Sequence, residues 1–273
     1  GMAMRHFPKI SFFPLITGLG YGFTEGDGVK RKLIQQLMII LYRKGLKNSE
    51  SIIFQNPDDE KLFYKLKIIF RNMSSHIVHG SGVDLNLYPF SPLPKKPIFL
   101  MLARLLIDKG VREYAEAARI VKAQFPKAIF QLAGRLDSNP STISSNELNF
   151  WINEGFIKYL GEISSVQKSL ASCRFYVLPS YREGTPRSVL EAMATGRPVI
   201  TTDTPGCRET VIHGKNGLLV PSKNAKSLAN AMIQLLEETE DKIQSMGRES
   251  FILAKDKYAV ERVNKNIINI LNL

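Results

Sequence analysis

From Pro97 onward the chain repeats one pattern: a short apolar run, a turn, then apolar residues at helical spacing. Runs of that kind read as strands buried on both faces, and strands alternating with helices read as βαβ units around a parallel sheet. The predicted strands are Ile98–Ala103, Ala128–Ala133, Ile157–Leu160, Phe175–Leu178, Pro198–Thr201 and Leu218–Val220. Helical periodicity falls between them, near Val111–Gln124, Ser145–Glu154, Val166–Ala171 and Arg187–Ala194. Six strands joined by right-handed crossovers make a complete doubly wound domain. Helices near Ala225–Glu238, Asp241–Ala254 and Ala259–Leu273 follow, each with an apolar face that must be covered.

The front of the chain breaks the pattern. It offers a glycine-rich loop at Thr17–Gly22, a basic helical stretch, a strand at Ser51–Gln55 and a helix from Asp58. That is too little for a Rossmann-like domain, which wants roughly 100 residues or more. The segment is either an extension packed on the main domain or the tail end of a truncated one. The expected division is a first segment over 1–80, a proline-rich linker over 81–97, the doubly wound domain over 98–256 and a closing helix over 257–273 that packs back toward the front.

A net charge of +12 attracts anions: nucleic acid, lipid headgroups or phosphorylated substrates. Aromatic residues are scattered and form no stacking platform among the basic ones, so nucleic acid is not expected. Between Gly28 and Lys47 there are six basic residues, Lys30, Arg31, Lys32, Arg43, Lys44 and Lys47, and no acidic one. Leu33, Ile34, Leu37, Met38, Ile40 and Leu41 interleave with them at helical spacing. Such a helix either lies on an anionic membrane surface or packs one face into a core with its charges merely solvated. No apolar run reaches the roughly 18 residues a membrane span needs. Cys173 and Cys207 are expected as reduced thiols. His6, His76, His79 and His213 show no metal-ligand spacing, and no metal is expected.

The densest chemistry runs Pro-Ser-Tyr-Arg-Glu-Gly-Thr-Pro-Arg-Ser-Val-Leu-Glu, residues 179 to 191. It leaves a strand at its carboxyl end and opens a helix, with Pro186 expected as the first helical residue. Backbone N–H groups from Gly184 through Thr185 and Arg187 to Ser188 would then face an anion, backed by the helix dipole. Glu183 and Glu191 are eight residues apart, a rise of about 12 Å in a helix. That is too far for a glycosidase pair, which needs about 5–9.5 Å. The two carboxylates suit hydroxyls at opposite ends of one extended polar ligand. Arg104 and Lys109 sit at the same carboxyl edge, where a diphosphate could be clamped. Gly134 directly follows a strand, where a close backbone approach or a tight turn needs glycine. The absence of GxGxxG, Walker, GxSxG and HExxH patterns argues against nicotinamide, P-loop, serine-hydrolase and zinc-protease chemistry.

The stretch PSYREGTPRSVLEAMATGRPVI with ETVIHGKNGLLVP, joined to ARLLIDKG and GSGVDLNLYPF, resembles the retaining GT-B glycosyltransferases of family 4. The resemblance is dense from about Gly80 onward and thinner over Ser11–Pro57. It implies a GT-B fold: one complete Rossmann-like doubly wound domain plus a partial N-terminal one, most of the family's first domain lying outside this chain. It implies that Glu183, the catalytic candidate, contacts the donor sugar and that Glu191 holds the ribose. Arg104 and Lys109 would bind the donor diphosphate, with Gly184, Thr185, Pro186 and Arg187 bordering it. ITGLGYGFT and NPSTISSNELNFWINEGFIKYLG resemble transferases that build lipid-linked bacterial glycans from UDP-sugars. The implied partners are a UDP-hexose or UDP-N-acetylhexosamine and a polyprenyl-diphosphate-linked or polysaccharide acceptor. The implied setting is the cytoplasmic face of the membrane, met by Lys30, Arg31, Lys32, Arg43 and Lys44, with no cofactor. A UDP-sugar-binding remnant without turnover, or a GT-B-like sugar-nucleotide epimerase, would carry the same motifs.

Overall fold

The computed structural model of the chain describes residues 1, 3, 9–20, 23, 29–137, 139 and 141–272. His6, Gly22 of the glycine-rich loop and the side chain of Lys30 lie outside the described residues. A small front unit comprises β1 (Leu15–Ile16), α1 (Val29–Leu46), β2 (Ile52–Phe54), α2 (Pro57–Lys65) and β3 (Ser75–Ile77). Its three strands run parallel in the order β1-β2-β3. β2 falls within its expected range. β1 and β3 have only two and three residues, too short for any periodicity to announce them. The unit has its own core, in which the Phe63 ring meets Phe54 at 5.0 Å and Tyr42 at 5.1 Å.

The main unit follows the expected alternation. Its elements are β4 (Ile98–Leu102), α3 (Val111–Gln124), β5 (Ile129–Ala133), α4 (Ser145–Asn153), β6 (Lys158–Tyr159) and α5 (Val166–Ser172). There follow β7 (Phe175–Leu178), α6 (Arg187–Ala194), β8 (Val199–Thr202), β9 (Gly217–Val220), α7 (Ala225–Glu237), α8 (Glu240–Leu253) and α9 (Val260–Leu271). The sheet is all parallel, in the order β6-β5-β4-β7-β8-β9. β4, β7 and β8 are buried along their whole length, which is why they read as unbroken apolar runs. β6, at the edge, pairs through Lys158 and Tyr159 alone and is shorter than its apolar run. Phe99 stacks between Phe130 at 5.1 Å and Phe175 at 4.7 Å, locking three neighbouring strands at one level.

Right-handed crossovers leave β4 in one direction and β7 in the other, so the strand order reverses between them. A crevice opens there at the carboxyl ends, the place where ligands sit in open α/β sheets. The loops that carry Lys109 and Glu183 leave those two strands.

The proline-rich connection is held to the sheet. Arg197 has no exposed surface and donates to the carbonyls of Cys173 at 2.8 Å, Thr195 at 2.9 Å and Pro92 at 3.3 Å, and to Ser91. Arg174 adds a 2.7 Å bond to the Pro94 carbonyl. At the other end Val83 exchanges backbone bonds with Tyr258 (2.8 Å) and Val260 (3.0 Å), joining the linker to the start of α9. No helix among the described residues is long and apolar enough to cross a membrane.

Arg197→Ala is expected to cost roughly 3 kcal/mol of stability, because several buried carbonyls lose a charged donor together. Denaturant titration checks it; a loss below about 0.5 kcal/mol would mean the linker is held by other contacts.

Candidate active site

The loop between β7 and α6 is built by close backbone approach. Glu183 N–H donates to the Pro205 carbonyl at 3.0 Å, and Tyr181 N–H to the Asp108 carbonyl at 2.8 Å. Gly184 is wedged against the front unit: a Cβ there would overlap the Thr17 carbonyl and crowd the Gln55 amide. Asn56 Nδ2 donates to the Gly184 carbonyl at 3.0 Å and toward that of Glu183 at 3.4 Å. Thr185 Oγ1 donates to the Gln55 carbonyl at 3.2 Å. Beside these bonds Arg182 forms an ion pair with the fully buried Asp59, whose pKa is raised by burial in spite of that partner. The end of β2 and the start of α2 thus hold the loop from below. The sequence signal for this clamp is Asn-Pro-Asp-Asp: Asn56 caps α2 by accepting from Asp59 N–H at 2.8 Å, with Pro57 as first helical residue.

Lys109 Nζ lies 2.5 Å from Glu183 Oε1, both side chains being largely buried. The crevice therefore holds a cation and a carboxylate side by side, one from each strand flanking the reversal. Arg104 is not part of that pair. Its guanidinium is 54% exposed and bonds Asp137 at 3.1 Å. An exposed pair of this kind is worth at most about 1 kcal/mol, so Arg104 is free to turn toward an anion at little cost.

Pro186 occupies the N-cap of α6 rather than its first turn, with an extended ψ of 108°. Its carbonyl accepts from Val189 at 3.0 Å and Leu190 at 3.3 Å, so it serves through its oxygen, and its missing N–H loses nothing. Arg187 and Ser188 are the first two helical residues, whose amides have no intrahelical acceptor. Glu191, one turn of α6 further on, is buried. It accepts from Arg187 Nε at 3.0 Å and faces the Tyr88 hydroxyl. Burial raises the Glu191 pKa against those two partners, and the Tyr88 phenol is pushed up to about 12, first by burial and then by the Glu191 charge. Tyr88 carried no signal in the sequence; only the path of the linker brings it to α6.

Gly134 is required by the chain itself. At φ 144° its missing Cβ leaves room for the Ala103 carbonyl, and its N–H donates to Gly161 at 2.9 Å. The basic helix divides. Arg43 donates to the carbonyls of Lys67 at 2.7 Å and Leu66 at 2.8 Å, closing the end of α2, and Arg31 faces the cleft between the units. Arg43 stays exposed while making these bonds, and Arg31 is half-buried. Lys32 and Lys44 are exposed, as are Leu33, Leu37, Ile40 and Leu41, while Met38 packs on the front core. The two cysteines are buried and unpaired. Among the described residues no three His, Cys, Asp or Glu side chains converge as a metal site.

A family model described as glycosyl transferases group 1 matches residues 96–238. The chain is 35% identical over 255 residues to the N,N'-diacetylbacillosaminyl-diphospho-undecaprenol alpha-1,3-N-acetylgalactosaminyltransferase of Campylobacter jejuni, covering 87% of this chain and 65% of that protein. It is 24% identical over 262 residues to the UDP-Gal:alpha-D-GlcNAc-diphosphoundecaprenol alpha-1,3-galactosyltransferase of Escherichia coli, covering 89% of this chain and again 65% of the other. The chain thus spans just under two thirds of the length of both. Among solved structures, Anabaena HepE in complex with UDP superposes with a TM-score of 0.82 at 19% identity, covering 100% of this chain and 75% of that one. Sucrose-phosphate synthase from Thermosynechococcus elongatus gives 0.81 at 21%, covering 99% and 70%. These likenesses show the GT-B fold.

Two outcomes follow from the geometry. A carboxyl whose folded pKa lies above its unfolded value stabilises the protein below the unfolded value, and that contribution is lost as pH rises through the folded one. Glu191→Gln, which stays neutral, should therefore gain in Tm relative to the parent between pH 4 and pH 8; a constant difference would remove burial as the cause. Asp59→Ala leaves Arg182 buried without its partner and should cost about 3–5 kcal/mol in chemical denaturation. A loss under 1 kcal/mol would show that the clamp is solvated.

Proposed function

Because the chain belongs to the family of glycosyl transferases of group 1, we propose that its crevice binds a UDP-sugar and serves transfer of the sugar to a lipid-diphosphate-linked acceptor, with retention of configuration. The observation that carries the reading is the pairing of Lys109 with Glu183 at 2.5 Å across the strand reversal. A sugar nucleotide offers anionic oxygens directly beside sugar hydroxyls, and this pair offers their complements in the same order. Lys109 faces the diphosphate, joined by Arg104 once it leaves Asp137, and by the amides at the start of α6. These groups stabilise the charge that grows on the leaving UDP, usually the largest contribution in such catalysis. Glu183 orients the sugar, and Glu191 accepts from the ribose hydroxyls. Cations and amides fill the place of a metal in this scheme.

The acceptor class is supported by the Campylobacter and Escherichia relatives, named for transfer to diphospho-undecaprenol-linked sugars. α1 supports a membrane-surface location at the cytoplasmic face: Leu33, Leu37, Ile40 and Leu41 form an exposed stripe, with Lys32 and Lys44 beside it.

A thermal-shift titration with UDP, GDP, ADP, CDP and NAD is the test. UDP alone should stabilise the chain, by about 2.7 kcal/mol at 100 times its Kd. Arg104→Ala should weaken UDP by about 1.5–3 kcal/mol, the loss of a charge-assisted bond. Selective stabilisation by NAD would overturn the reading, and unchanged UDP affinity in Arg104→Ala would remove that residue from the clamp.

A further inference from the structure

A cavity of about 1110 Å³ opens between the two units, and of the proposed donor residues it touches Arg104 alone. Its two sides differ in chemistry. The front unit lends Phe23, Ile34 and Leu62, an apolar wall continuous with α1. The main unit lends Arg182, Arg208 and Lys223 from the loops after β7, β8 and β9. Five cations and three carboxylates line the space. Two of those carboxylates, Asp58 and Asp203, are already taken by Arg208, at 2.7 Å each. Arg182 keeps a buried Nε with no hydrogen-bond partner among the described residues.

Lys223 is the most telling member. Its backbone is left-handed, at φ 57°, a conformation an L side chain adopts only at a cost. Its Nζ lies 5.2 Å over the Tyr181 ring, and the Tyr181 hydroxyl is fixed by a 2.6 Å bond to Glu113. No ion pair neutralises Lys223 among the described residues. A strained backbone that holds an unneutralised ammonium against this cavity, whose lining arginines Arg104, Arg182 and Arg208 already have carboxylate partners, has the marks of a binding feature.

We infer that this cavity seats the diphosphate and first lipid carbons of the acceptor: an amphiphilic diphosphate, phosphates toward Lys223, Arg182 and Arg208, hydrocarbon along Ile34, Leu62 and Phe23. The hydrocarbon then continues toward the exposed stripe of α1. A simple anion would leave the apolar wall without a use, and an uncharged lipid would leave Lys223 without one; unlike Arg182 and Arg208, Lys223 has no carboxylate partner among the described residues. The inference rests on the acceptor class proposed above, while the residues that carry it are separate from the UDP site.

Calorimetric titration of the full chain with farnesyl diphosphate and with inorganic pyrophosphate, each with and without saturating UDP, tests it. Farnesyl diphosphate should bind once per chain with UDP present, at least tenfold tighter than pyrophosphate. Lys223→Asn, which tolerates the left-handed backbone, should weaken it at least fivefold and leave UDP affinity within twofold. Ile34→Ser should weaken farnesyl diphosphate and leave pyrophosphate unchanged. One-for-one displacement by UDP, equal affinity for pyrophosphate, or an unaffected Lys223→Asn variant would each overturn the assignment. Failure of the parent chain to bind UDP strikes instead at the donor reading, and the farnesyl diphosphate titration still decides the cavity.

Discussion

The packing of the end of β2 against the loop before α6 is the constraint on which the site depends. Asn56, Gln55 and Asp59 hold four successive residues of that loop, Arg182, Glu183, Gly184 and Thr185, through hydrogen bonds to backbone carbonyls and a buried ion pair. Removing the Asp59 carboxylate would strand a guanidinium in a low-dielectric setting, which is far costlier than losing a surface pair. The loop is therefore held on both sides of Glu183. Flexibility is left to Arg104, whose ion pair with Asp137 is exposed and weak.

The same packing links fold to proposed chemistry. The main sheet alone would bring Lys109 and Glu183 to one crevice, because their strands flank the reversal. The front unit closes that crevice at Gly184 and opens a second space, lined by charges of both signs, further along the carboxyl edge, between α1, α2 and the loops after β7, β8 and β9. The proposed donor site and the proposed acceptor site are neighbours in one cleft, as suits a reaction that joins a nucleotide-bound sugar to a second, separately held substrate.

Legibility in the sequence followed range. Phe175–Leu178, Val111–Gln124 and Arg187–Ala194 were readable to the residue, since local periodicity and burial agree there. Lys109 and Glu183 were readable as neighbours, because strand-end loops in a doubly wound sheet converge whatever their sequence. The sequence left open whether the basic helix with Arg31 and Arg43 meets a membrane surface or packs one face into a core. Helical periodicity orders residues around an axis and leaves open which side meets the core, so Arg43 closing α2 and Arg31 facing the cleft were invisible. Pro186 was placed one position too far in, since the proline preference for a helix start does not by itself separate the cap from the first turn.

The sequence by itself determined the parallel sheet, its crossover helices, the family resemblance and the residue types at the carboxyl edge. These follow from patterns within a few tens of residues, where burial on two faces demands continuous apolar runs. The tertiary structure alone decided that Tyr88 faces Glu191, that Asp59 pins Arg182 and that Lys223 stands over Tyr181. Those pairs join residues distant in the chain, and Asp59 meets Arg182 123 positions away. No local preference encodes such a meeting. It is fixed only when two separate cores pack and their buried polar groups must find partners.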